Sequence, residues 1–234
     1  MKKWSLLIVL ILLLAGCRTS PFQTNVEIDW VDFIKWNGKM YEGIYSGVIA
    51  DEKFIGETIG KVKFKVADNI KDSSYKTKNG DAAFHEKGTV IYAIKENPNI
   101  IAVKSEDEIN GYRLYYSRDE MAFKWHFKDA PLKEVTRVQI YQSNTPNSKK
   151  RMNELTSTKE VKSFLQLLEN SKEDSSFQPN MEKGDPTSYD IVLYTNESIA
   201  YKYDLQFDGQ TYFWHPWDVS IVSEEISRFI PIEE

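Results

Sequence analysis

Residues able to do chemistry are sparse in this chain: three histidines, His85, His126 and His215, and one cysteine, Cys17. A zinc centre takes three or four His, Cys or carboxylate ligands, usually with one closely spaced pair, and no histidine here has another at i+2, i+3 or i+4. No metal site is expected. A serine nucleophile of the elbow type would call for Gly-x-Ser-x-Gly; Ser46-Gly47 lacks the leading glycine, and no serine nucleophile is expected. The run Gly56-Glu57-Thr58-Ile59-Gly60-Lys61-Val62 has its glycines one residue too close for a phosphate loop, with Val62 where a hydroxyl should meet magnesium. It reads as a turn entering a strand, and no cofactor is expected. The acidic run Glu106-Asp107-Glu108 falls between strand patterns and reads as a solvated turn.

One stretch stands apart, Tyr212-Phe213-Trp214-His215-Pro216-Trp217-Asp218. Tyr212, Trp214, His215 and Trp217 form the candidate binding site, since aromatic platforms beside His and Asp can stack on sugar rings or grip a peptide. The competing reading places Tyr212 and Trp214 in the core as a strand ends, with Trp217 beneath a final helix. The binding reading requires an exposed apolar patch or groove beside Trp214 and Trp217.

Cys17 has a different setting. Lys2 and Lys3 precede an apolar run from Leu6 to Ala15, followed by Gly16 and Cys17. This is the layout of a secretory signal peptide, and ten apolar residues make about 15 Å of helix, too short for a bilayer core of about 30 Å. Leu14-Ala15-Gly16-Cys17 resembles the lipobox of bacterial lipoproteins position by position. The alternative is a lone cysteine beside an ordinary signal peptide or anchor. The resemblance implies cleavage between Gly16 and Cys17 and a diacylglyceryl group on the Cys17 thiol. It further implies a location on the extracytoplasmic face of the cell membrane, as in the small lipoproteins of Bacillus-type Gram-positive bacteria. Two or three acyl chains on one residue hold a protein stably where one holds it reversibly. The implied partner is therefore the membrane, reached through covalent lipid.

Removing residues 1–16 takes away two lysines and no acid, leaving 28 Lys+Arg against 35 Asp+Glu, a net charge of −7. Such a chain is poorly suited to nucleic acid, which needs clustered cations, and no nucleic-acid partner is expected. With its cysteine committed to lipid, the mature chain has no disulfide, but 218 residues can bury enough apolar surface without one. Aromatic residues at 13% point to a folded, strand-rich protein.

The elements that must position these groups follow from periodicity. Residues 17–25 read as the lipidated cysteine and a polar tether. In 26–128, Asn37-Gly38 joins two strand patterns as a hairpin turn, residues 61–66 alternate Val62, Phe64 and Val66 with lysines, and strands at 88–94, 100–104 and 112–116 are separated by turns. This unit reads as a small antiparallel sheet or partial barrel. Asp129-Ala130-Pro131 marks a boundary.

The unit 129–234 reads β-α-β-β-β-α: a strand at 135–141, a polar loop at 143–151, and a helix with Ser157 and Glu160 as a capping box and Val161, Phe164, Leu165 and Leu168 on one face. After a long loop at 171–187 come strands through Tyr189, Ile191 and Leu193, through Tyr201, Tyr203, Leu205 and Phe207, and, beyond an Asp208-Gly209 type I′ turn, through 211–214. A last helix begins at Ser223. The fold class is α+β, mainly antiparallel β.

A non-catalytic, membrane-anchored binding or interaction module, engaging an envelope protein or glycan, is the first expectation for function. The second is an envelope-polymer hydrolase, which requires two carboxylates facing across a cleft about 5–10 Å apart. A transporter's solute receptor ranks last, because the chain lacks βαβ alternation.

Overall fold

A computed structural model describes residues 28–145, 148–182 and 184–231. The proposed lipidation and cleavage residues, Gly16 and Cys17, lie outside them. The fold is mainly antiparallel β, with one strongly curled sheet, a second sheet and few helices.

The first segment contributes β1 Phe33–Trp36, β2 Lys39–Gly43, β3 Gly47–Ile49, β4 Ile55–Lys61, β5 Phe64–Lys65, β6 Asp81–Ala82, β7 Val90–Ile94, β8 Asn97–Lys104 and β9 Tyr112–Ser117. All but β3 form the curled sheet, in the order β4-β7-β8-β9-β2-β1-β6-β5. Asn37 and Gly38 both take positive φ and close the β1–β2 hairpin, as the dipeptide requires.

The curl has a local cause. Strands β4 and β5 occupy opposite ends of the sheet yet are separated by only Val62 and Lys63. The Val62 amide donates to the Thr89 carbonyl at 2.9 Å, whereas the Lys63 amide donates to the Gly80 carbonyl at 2.8 Å. The chain thus changes neighbours within one residue and draws the two ends together. The strand expected at 61–66 is broken at this point, although Val62 and Val66 are buried as its alternation demands. Within the curl, Ile34, Tyr41, Ile91, Ile101, Val103 and Tyr115 pack with Trp36, which lies against Gly60. Strand β8 starts at Asn97, earlier than expected, because Pro98 is exposed and its missing N–H is no obstacle there.

The second segment contributes β10 Arg137–Thr145, β11 Ser148–Leu155, α1 Thr158–Glu169, β12 Lys172–Glu173, β13 Thr187–Tyr194, β14 Ile199–Phe207, β15 Tyr212–Trp214 and β16 Ser220–Val222. Their sheet runs β11-β10-β13-β14-β15-β16-β12. Helix α1 buries Val161, Phe164, Leu165 and Leu168 against Tyr189, Ile191, Leu193, Leu205 and Trp214. Phe164 meets Phe229 edge to face at 5.4 Å, and full burial of such side chains stabilises by about 1.5–3 kcal/mol each.

Several expectations are corrected here. Most of the polar stretch 143–151 is strand rather than loop: β11 is an edge strand held by backbone pairing, so it carries no apolar alternation. Ser157 is the N-cap, but its side chain makes no capping bond. At Asp208-Gly209 only Gly209 has positive φ; Asp208 accepts from the amides of Gln210 and Thr211, giving a longer side-chain-bonded turn instead of type I′. The final helix is a 3₁₀ segment, Glu224–Phe229, whose Ser223 cap accepts from the Glu225 amide.

One strand crosses between the segments. β3 leaves the first and pairs with β14, in the register Ile49↔Ile199, Val48↔Ala200 and Gly47↔Tyr201. Asn110 Nδ2 donates to the Ile49 carbonyl at 2.7 Å and to the Tyr194 hydroxyl at 3.2 Å. Val48, Ile109, Val192, Tyr194 and Ala200 share one cluster across the junction.

Candidate functional site

The four residues singled out in the sequence go to two different places. Tyr212 and Trp214 are buried in β15. Trp214 is 1% exposed, donates from Nε1 to Ser171 Oγ at 3.0 Å and packs edge-on to Phe127 and Tyr203. They belong to the core, because β15 is paired on both sides and covered by the linker around Phe127. His215 and Trp217 emerge beyond the strand's end, Trp217 being 71% exposed. Trp217 does not pair with Trp214 on the surface. It joins His126 at 4.3 Å and Trp125 at 6.4 Å between ring centroids, with the Trp125 and Trp217 rings inclined by 24°.

Trp125 and His215 also line a cleft of about 620 Å³ where the two sheets approach. One wall comes from the first segment: Ile44, Tyr45, Ser46, Tyr116, Phe123 and Trp125. The other comes from β13, β14 and the chain beyond β15: Ser188, Asp190, Lys202, Tyr203, Asp204 and His215. Strand alternation explains the second wall. Tyr189, Ile191 and Leu193 point to the helix-covered core, so Ser188, Asp190 and Val192 point the opposite way, as do Lys202 and Asp204 on β14. Sheet packing around β3 covers this face at Val192 and Ala200, leaving its polar end open as the floor of the cleft.

The floor is already hydrogen-bonded. Asp190 and Asp204 are Cα partners on adjacent strands. Lys149 reaches Asp190 Oδ2 at 2.6 Å, Ser188 Oγ donates to Asp204 Oδ1, and Gln206 Nε2 donates to Asp204 Oδ2 at 2.6 Å. Burial pushes the Lys202 amine below its ordinary value, with Lys149 and Arg113 adding to the effect and Asp190 and Glu108 opposing it. The arrangement offers fixed acceptors and donors in a near balance of charge, with exposed rings at the rim: Tyr45 at 62% and Trp125 at 43%.

A second cluster backs the first wall. Arg113 donates from Nη2 to Asp32 Oδ2 at 3.2 Å and from Nη1 to Glu108 at 2.8 Å, and its guanidinium lies over the Tyr45 ring at 4.0 Å. The Tyr115 hydroxyl donates to Asp32 at 2.9 Å, and His85 Nε2 lies 2.5 Å from that hydroxyl. With the tyrosine proton committed to Asp32, His85 Nε2 is the donor in this contact. Burial holds His85 below its usual pKa; Asp32 pulls it up, while Arg113 and Lys65 push it further down. The Asp32 carbonyl accepts from the Gly43 amide, and a Cβ at Gly43 would come within 2.8 Å of the Asp32 carboxylate. Glu108 is therefore a partner of Arg113 rather than part of a bare solvated tip.

Sequence reading misses both groupings. Residues 32, 85, 113 and 115 meet only through sheet pairing, and the cleft floor is the polar phase of strands whose apolar phase carries the visible pattern. The available signal was the acidic character of that phase at Asp190 and Asp204.

Among the described residues no group of His, Cys, Asp or Glu could hold a metal ion, and no helix is long and apolar enough to cross a membrane. Comparison of the chain with family models, curated proteins and solved structures finds no match.

Proposed function

We propose that this chain is a lipid-anchored extracytoplasmic protein of the cell membrane that acts as a non-catalytic binding module, holding an envelope component in the cleft between its sheets. The anchor rests on Leu14-Ala15-Gly16-Cys17 placed directly after a basic and apolar leader. The binding reading rests on one observation above the rest. The cleft joins exposed aromatic rings on one wall to a pre-bonded polar floor on the other.

The same geometry bears on the hydrolase alternative. Both carboxylates lining the cleft, Asp190 and Asp204, stand side by side on one wall, and the opposite wall contributes no acid. Acid–base cleavage of a glycosidic bond uses carboxylates on opposite sides of that bond, so the arrangement favours holding a ligand over cutting it.

Metabolic labelling with an alkynyl fatty acid tests the anchor: the native chain takes up label and partitions with membranes, and Cys17→Ala does neither. An unlabelled native chain would remove that half of the proposal. Cross-linked capture from native membranes tests the other half. An envelope component recovered with the native chain and lost with Trp125→Ala supports the cleft as its site, whereas recovery indifferent to that change refutes it.

A further inference from the structure

We propose that the ligand of the cleft is a neutral oligosaccharide, an inference that rests on the reading of the cleft as the binding site. A pyranose presents apolar C–H faces and a rim of hydroxyl groups that both donate and accept. The cleft matches each surface. Tyr45 and Trp125 leave large ring areas in water at its rim, an unfavourable exposure that a stacked sugar face would relieve. Trp125 is stacked on His126 at 3.9 Å, and His126 meets Trp217 at 4.3 Å between ring centroids, so the three rings form one aromatic stack that backs Trp125 at the rim.

The floor supplies the polar complement. Asp204 is fixed by Ser188 and Gln206, which leaves the carboxylate oriented with lone pairs for ligand hydroxyls. Lys202, two residues away on the same face of β14, offers a donor. A fixed acceptor beside a donor is the pairing that adjacent hydroxyl groups require, and fixing it beforehand lowers the entropy lost on binding.

Charge and topology narrow the class. Asp190 and Asp204 stand against Lys149 and Lys202, so the floor has no surplus of positive charge to hold a polyanion. An added peptide strand needs an open sheet edge, but the wall's backbone is already engaged: the Gly43 amide bonds to Asp32, Ile44 to Leu114, and the Ser46 carbonyl accepts from Lys202.

The test uses the full chain purified in detergent, titrated by calorimetry and tryptophan fluorescence. The probes are chitotetraose and cellotetraose as neutral saccharides, and poly(glycerol phosphate) as an anionic polymer. Saturable binding of a neutral tetrasaccharide is expected, weakened about ten-fold by Trp125→Ala and by Asp204→Asn, with thermal melting confirming that both variants fold. Failure of both tetrasaccharides to saturate, or saturation indifferent to both substitutions, overturns the proposal. Sensitivity of poly(glycerol phosphate) binding alone to Trp125→Ala would keep the cleft as a site while overturning its saccharide ligand. If no probe binds and membrane capture is indifferent to Trp125→Ala, the reading of the cleft falls as well.

Discussion

His85 shows how one side chain can be tied to the state of the whole fold. Its ring lies against Tyr115 and has a depressed pKa, chiefly through burial, whereas the unfolded chain would titrate near 6.5. The unfolded state therefore takes up the proton first as pH falls, so the histidine's contribution is complete above about 6.5 and is lost below it. Thermal melts between pH 7.5 and 5.5 should show a falling midpoint, with a shallower fall in His85→Gln, which keeps a donor toward Tyr115. An equal slope in both proteins would mean that other groups set the acid limit. None of this is legible from residue 85 in the sequence, because what defines it, Asp32, Arg113 and Tyr115, arrives through strand pairing over 28 to 53 residues of separation.

At the scale of elements, legibility follows the strength of the local code. Asn37-Gly38 dictates its own turn, and the four apolar residues of α1 face one core, so both are readable from spacing. Strand β11 is not, since an edge strand answers to its neighbour's backbone more than to its own side chains. The break between β4 and β5 is also hidden, because Val62 and Val66 keep their alternation while the pairing partner changes. Gly60 marks the tightest point of that curl: a Cβ there would come within 2.0 Å of Trp36 Cζ2. Gly60→Ala should therefore cost about 1–3 kcal/mol, lowering the melting temperature by roughly 2–12 °C. A variant as stable as the native chain would show that Trp36 can move aside and that this contact does not set the curl.

For the molecule as a whole, the question is whether the two segments unfold apart. β3 pairs with β14, Asn110 bridges Ile49 and Tyr194, and Ile199 packs among Ile44, Ile49 and Leu114, so each segment completes the other's core. A single thermal transition is expected, coincident by far-ultraviolet circular dichroism and by tryptophan fluorescence. Two separated transitions would show the shared clusters to be too weak to couple the sheets. This coupling also explains why the cleft escapes a reading of the sequence: its walls belong to stretches that periodicity assigns to different units, and they meet only where β3 crosses.

The outer edge of β11 carries a further consequence. Among the described residues that strand ends its sheet, and its pairing with β10 is irregular at Ile140 and Tyr141. A bulge twists such a rim and helps to keep two copies from zipping together into an intermolecular ladder. If the proposed lipid anchor confines copies to a membrane surface, they meet far more often than in free solution, and there the twisted rim would keep neighbours as separate monomers.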